Sequence, residues 1–178
     1  MTAPLPPPDP LGGPVTLVDY DEAWPARFEA LAARIRRALG EKVLELHHAG
    51  STSVPGLAAK PVIDLLLVVA DSAREETYVD ALEAAGWVLR IREPEWFEHR
   101  CLKTTDPASN LHVYTAGCEE VGKTLAFRDH LRANAADRRL YEDTKRDLAG
   151  RTWAVVQDYA DAKSEVVAQI MTRAPAGR

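Results

Sequence analysis

At 178 residues, 46% of them apolar and 28% charged, the chain is long enough to bury one core without staples and too rich in apolar residues to stay unfolded. Its 22 Lys and Arg against 27 Asp and Glu leave a net charge of −5, which excludes a broad basic surface for nucleic acid, and two cysteines are too few for a disulfide framework. The longest apolar run, 62–70, contains Asp64 and is far too short to span a bilayer, and no leader pattern opens the chain, so it reads as cytoplasmic and without membrane contact.

The first fourteen residues carry six of the twelve prolines and read as a disordered Pro-rich tail. A single domain is expected over 15–174. "VTLVDY" (15–20) suggests a short strand or an extended entry. Asp21 then caps a helix over 24–39, with Phe28, Leu31, Ile35 and Leu39 at helical spacing and Gly40 as its stop. "KVLELHHAG" (42–50) alternates as a half-wet strand, and "PVIDLLLVV" (61–69) is apolar enough to be a strand covered on both faces.

Residues 74–85 predict a helix closed by Gly86. Segments 87–91, 95–105 and 110–117 predict three strands, the last two joined by the turn "DPASN". From about Glu120 the pattern turns helical, over 121–134, 137–150 and 154–173. The expected class is therefore α/β (α+β), a mixed β-sheet with flanking helices and a C-terminal helical layer.

Between the two N-terminal strands lies "GSTSVPGLAAK". Gly50 permits a tight turn and close approach of a ligand, and Ser51, Thr52 and Ser53 offer hydroxyls and N–H groups where a phosphate would sit. A plain connector is the alternative, and neither a Walker loop nor a Gly-x-Gly-x-x-Gly spacing is present. Asp64 is harder to dismiss. An ionised carboxylate buried without a partner costs several kcal/mol, so it must meet a metal, a cation, several donors or a solvent cleft. Lys60, Arg100 or the turn itself could satisfy it as architecture alone.

Gly50-Ser51, twelve intervening residues and Asp64 on an apolar strand resemble the signature of the polymerase-β-like nucleotidyltransferase superfamily. More closely, "HHAGSTSVPGLAAKPVIDLLLVV", "NLHVYTAG" and "LAFRDHLRANAADRRLYEDTKRDLA" are similar to the GrpB family, over about 15–170. The resemblance implies a nucleotidyltransferase-like fold and a nucleotide or other phosphorylated small molecule as ligand. Gly50, Ser51, Thr52 and Ser53 would hold the phosphates with help from Arg100. Asp64 would bind Mg²⁺, and Lys60 and Arg128 would offset charge during nucleotidyl transfer.

The chain departs from the superfamily pattern at Leu66, where a second acid is expected on the same strand face. His48, Glu98 or His112 could supply the missing ligand, and imidazoles would favour a transition metal over Mg²⁺. Two further functions stay open. One is a non-catalytic nucleotide- or partner-binding module accessory to coenzyme A metabolism, because relatives occur fused to dephospho-coenzyme A kinase. The other is a metal-dependent hydrolase using Asp64, His48 and His112. The remaining histidines, His47, His99 and His130, read as structural or surface residues. The four tryptophans read as packing, and Arg138, Arg139, Lys145 and Arg146 as a solvated helix face.

Overall fold

The computed structural model describes residues 5, 15–151 and 161–174. Most of the proline-rich segment, Trp153 and the first part of the last expected helix lie outside the described residues.

Helix α1 spans Trp24–Leu39, with a proline in its first turn and Arg36 and Arg37 in its last. Asp21 caps the approach by accepting the Ala23 N–H at 2.8 Å. Strand β1 covers Glu45–Ala49 and β2 covers Ile63–Val69. Helix α2 (Val79–Ala84) leads to the antiparallel strands β3 (Val88–Glu93), β4 (His99–Thr105) and β5 (Ala108–Thr115). Helices α3 (Glu119–Ala133), α4 (Ala135–Ala149) and α5 (Ser164–Met171) complete the described elements. The sheet order is β1-β2-β5-β4-β3; β2 runs parallel to β5 and every other pair is antiparallel. The expected mixed sheet with flanking helices and a C-terminal helical layer is the observed fold, and a Gly-Ser turn leads from the edge strand into the strand that bears the acid.

Alternation divides the sheet into two unequal faces. Ile63, Leu65, Leu67, Leu111 and Val113 pack on Phe28, Leu31 and Ile35 of α1 and on Val79 and Leu82 of α2. Each such fully buried side chain contributes about 1.5–3 kcal/mol relative to exposure. The opposite face carries Asp64, Leu66 and Val68 in register with Asn110, His112 and Tyr114. Val121, Cys118 and Leu125 from the α3 region cover only its far end, on Leu66, Val68 and Tyr114. The polar end of that face therefore opens into a cleft. Helices α3, α4 and α5 meet over Leu131, Tyr141, Val166 and Ile170, with Val54 and Leu57 from the Gly-Ser loop beneath them.

Several boundaries differ from the sequence reading. "VTLVDY" makes only an isolated bridge, Val18 to Ala59. The expected helix over 74–85 divides into a 3₁₀ turn at Glu75–Thr77 and the short α2. Strand β4 starts at His99, because Phe97 and Glu98 take positive φ values of 55° and 51° and turn the chain before it. The predicted turn after β4 shrinks, since β5 begins at Ala108. Neither cysteine is in a disulfide, and Cys101 is buried. No described helix is long and apolar enough to cross a membrane.

Candidate functional site

Gly50 adopts φ 65° and ψ −173°, a conformation open essentially to glycine alone, and the chain then makes one 3₁₀ turn over Ser51–Ser53. The turn presses on Asp64: a Cβ built on Gly50 would lie 2.9 Å from both Cβ and Cγ of that residue. Two of the loop's three hydroxyls are used internally. Thr52 Oγ1 pairs with His48 Nε2 at 2.9 Å, and Ser53 Oγ donates to the Gly50 carbonyl at 2.5 Å. Ser51 lines both cavities that flank the turn, and Thr52 the smaller of them.

Asp64 belongs to the lining of three cavities, of about 560, 600 and 310 Å³. Its side chain is 30% exposed. Asn110 Nδ2, in register on β5, donates to Asp64 Oδ1 at 2.9 Å. His112 Nε2 stands 3.9 Å from the same oxygen.

The smallest cavity is lined by Lys60, Lys103, Lys145 and Lys163 around this one carboxylate. Lys60 closes the loop before β2, Lys103 on β4 shares the face of Asn110, Lys145 comes from α4 and Lys163 immediately precedes α5. Lys145 donates to the Ala58 carbonyl, and its Nζ lies 4.9 Å from the centre of the Tyr141 ring. Burial, with Lys163 adding to it, brings Lys145 down to about 7. Burial, with Lys60 adding to it, brings Lys163 down to about 8. Lys60 is lowered by burial too, and the Asp64 charge opposes the shift in all three. Lys145 is thus no part of a solvated face, being 2% exposed. Its helical register with the buried Tyr141 and Leu148 was the available signal.

The 600 Å³ cavity sits between the Gly-Ser turn and the helical layer and is lined by Phe127, Leu131, Tyr141, Lys163 and Val167, with Arg128 at its edge. Arg128 donates to the His48 carbonyl at 3.0 Å and to Asp129 at 2.7 Å, tying α3 to β1.

Three expected site residues are elsewhere. His48 pairs with Leu65 in the β1–β2 register, so its ring emerges on the α1 face and stacks on Phe28 at 4.8 Å; burial, with Arg132 and Arg128, holds it neutral at about 4. Glu98 lies in the turn before β4, with its carboxylate on Arg100 at 3.2 Å. Arg100 is 5% exposed on the α1 side of the sheet, where its Nε donates to Glu75 at 2.6 Å. The strand period sends both His48 and Arg100 away from Asp64, so the expected convergence of Asp64, His48, Glu98 and His112 is not formed; only Asp64 and His112 come together. Among the described residues no group of three or more His, Cys, Asp or Glu is placed to hold a metal ion. Leu66, 1% exposed, occupies the second acid's position, and the residues around Asp64 do not fit a two-ion cage.

Sequence reading missed a second set of groups. His99, which was read as structural, uses Nδ1 to meet Glu93 Oε2 at 2.6 Å and Nε2 to meet His112 Nδ1 at 3.0 Å. Burial, reinforced by His112 and Arg100, lowers His99 to about 3; packing around His112 lowers it as well, against the pull of Asp64. Trp96 packs at the rim, 42% exposed beside His99 and Tyr114. The period-two runs His99, Cys101, Lys103 and Asn110, His112, Tyr114 were the signal for this face.

The family model described as GrpB protein matches residues 14–173. The chain is 57% identical over 162 residues to a UPF0157 protein of Halalkalibacterium halodurans, covering 91% of this chain and 83% of that one. It is 30% identical over 176 residues to a dephospho-CoA kinase of Mycolicibacterium paratuberculosis, covering 84% of this chain and 43% of that protein. The crystal structure of GrpB from Enterococcus faecalis superposes with a TM-score of 0.76 at 28% identity, covering 89% of this chain and 98% of the other.

Proposed function

The chain belongs to the GrpB family, and from that premise we propose that it binds a nucleotide or another phosphorylated small molecule beside the Gly50–Ser51 turn, with the phosphates toward the lysines. The observation that carries this reading is charge: four lysines face one carboxylate in a single cavity. An arrangement meant only to neutralise Asp64 needs one cation. Four amines lining one cavity suit a ligand that carries several anionic oxygens. The adjoining 600 Å³ cavity, walled by Phe127 and Tyr141, has room for the uncharged part of the ligand.

Binding to the native state raises its apparent stability, by about 2.7 kcal/mol at a hundredfold excess over Kd. ATP, CTP, dephospho-coenzyme A and inorganic triphosphate are expected to raise Tm. Lys163→Met is expected to weaken the best of them by about tenfold or more in calorimetric titration. A panel that leaves Tm unmoved, or a Lys163→Met protein with unchanged affinity, refutes the proposal. An anion also raises the pKa of the lysines it meets. Binding near neutral pH is therefore expected to take up protons, read as an observed enthalpy that varies with the ionisation enthalpy of the buffer.

Nucleotidyl transfer assisted by Mg²⁺ is a narrower version of the same reading. It would need a metal brought in by the ligand's phosphates, with Asp64 as the carboxylate to hold it. Transfer of the α-phosphorus label of a nucleoside triphosphate to an acceptor with release of unlabelled pyrophosphate, both lost in Asp64→Asn, would establish it; binding without turnover leaves a non-catalytic module. The match to a dephospho-CoA kinase favours a role for such a module beside an enzyme of coenzyme A metabolism. In that case dephospho-coenzyme A is the tightest member of the panel.

A further inference from the structure

The two cavities that flank the Gly-Ser turn divide their chemistry. Both are lined by Ser51, Asp64 and Lys163, so one molecule can reach from the first into the second. The smaller holds the four lysines. The larger, of about 600 Å³, is walled by Val54, Phe127, Leu131, Tyr141, Val167 and Met171, and of these six only Tyr141 carries a strong hydrogen-bonding group. Phe127 and Tyr141 meet edge to face with ring centres 5.3 Å apart, and the wall continues into the packed layer of Leu57, Val166 and Ile170.

The polar residues of this larger lining come from two places. Gly50, Ser51, Asp64 and Lys163 stand toward the turn, and α3 adds Glu120, Lys123, Thr124 and Arg128. Lys123 is 53% exposed and bonds to Glu119 at 2.9 Å, while Arg128 is bonded to the His48 carbonyl and to Asp129. A nucleobase displays donors and acceptors along its edge, and each one buried against an apolar wall without a partner weakens binding about five- to a hundredfold. A hydrocarbon chain has no such groups, and each CH₂ that it buries tightens binding about fourfold.

Building on the reading of the lysine cavity as a phosphate site, we propose that the ligand is amphipathic: a diphosphate monoester of an apolar alcohol, with its anionic head among the lysines and its hydrocarbon chain between Phe127, Tyr141 and the α5 residues Val167 and Met171. Charge and chain occupy neighbouring cavities, and the turn at Ser51 marks the join between them. The apolar wall selects chain over base, and Val167 and Met171 are specificity residues of that wall.

The experiment is calorimetric titration of the full-length protein with four molecules that share one head, methyl, dimethylallyl and geranyl diphosphate and ADP, and with geraniol as the chain alone. Affinity is expected to rise about tenfold or more from methyl to dimethylallyl diphosphate and again to geranyl diphosphate, which should bind about tenfold tighter than ADP or geraniol or more. Val167→Asn and Met171→Gln set an amide against the chain at half-buried positions, where the fold tolerates the change. Each is expected to lower the ratio of geranyl to methyl diphosphate affinity about fivefold or more. Geranyl diphosphate binding no tighter than methyl diphosphate, ADP or geraniol equalling it, or an unchanged ratio in either variant overturns the proposal, while binding of methyl diphosphate or ADP leaves the phosphate reading standing. If no diphosphate binds, the phosphate reading fails and this one falls with it.

Discussion

Gly50→Ala is expected to lower stability by about 2–4 kcal/mol and to abolish ligand binding beside the turn. Two costs combine. The backbone at φ 65° and ψ −173° is strained for any residue with a Cβ, by about 1–3 kcal/mol. The new Cβ would also fall 2.9 Å from Cβ and Cγ of Asp64, so strand β2 or the loop must shift, and with it the carboxylate that borders all three cavities. Gly117 separates the two terms, because its φ of 81° is also positive while a Cβ there meets nothing within 4 Å. Urea unfolding of the two variants side by side is the measurement. Gly117→Ala should carry the backbone cost alone, and equal losses for both would mean that the close approach of turn and acid is not rigid.

Lys145→Met is expected to be more stable than the parent at pH 7 and below, and to lose that advantage as pH rises. The folded protein holds Lys145 at about 7, whereas the unfolded chain restores a value of 10.5. Between those values the unfolded state binds more protons, so parent stability rises with pH through this window, and below it the parent bears the full cost of charging a buried amine. Burial sets the shift; of the neighbours, Lys163 and Arg146 add to it, while Glu142 and Asp64 favour the charge. From about pH 7 to 10 the parent should gain about 3 kcal/mol relative to the methionine variant. Denaturation curves across that range check the slope; a pH-independent difference would show that Lys145 keeps its ordinary affinity for protons. The same variant should bind triphosphate more weakly, so the cavity's stability cost and its ligand affinity would trace to one side chain.

The elements were legible where local signals agreed. Asp21, an apolar stripe and Gly40 mark α1, and its observed span of Trp24–Leu39 is the expected one. The apolar run around Asp64 marks an inner strand, and β2 does pair on both edges. Boundaries failed where the backbone leaves its usual regions without a glycine to announce it. Phe97 and Glu98 have no sequence signature for positive φ, and a strand expected to run from 95 begins at His99 instead.

Within the cleft, the chain order of residues determined that a glycine-serine turn would stand next to a lone acid, because those groups are close in sequence and share one turn and one strand. It also determined, through the two-residue period, that Leu66 would stand where a second carboxylate is expected. Only the tertiary structure decided which distant groups join them. The parallel pairing of β2 with β5 sets Asn110 and His112 beside Asp64, and the antiparallel β4 adds His99 and Lys103. The packing of α4 and α5 over the loop delivers Lys145 and Lys163. The same register turned His48 and Arg100 to the opposite face. Pairing partners and helix docking depend on the burial of whole faces across separations of tens of residues, and no local pattern around a single histidine or lysine encodes them.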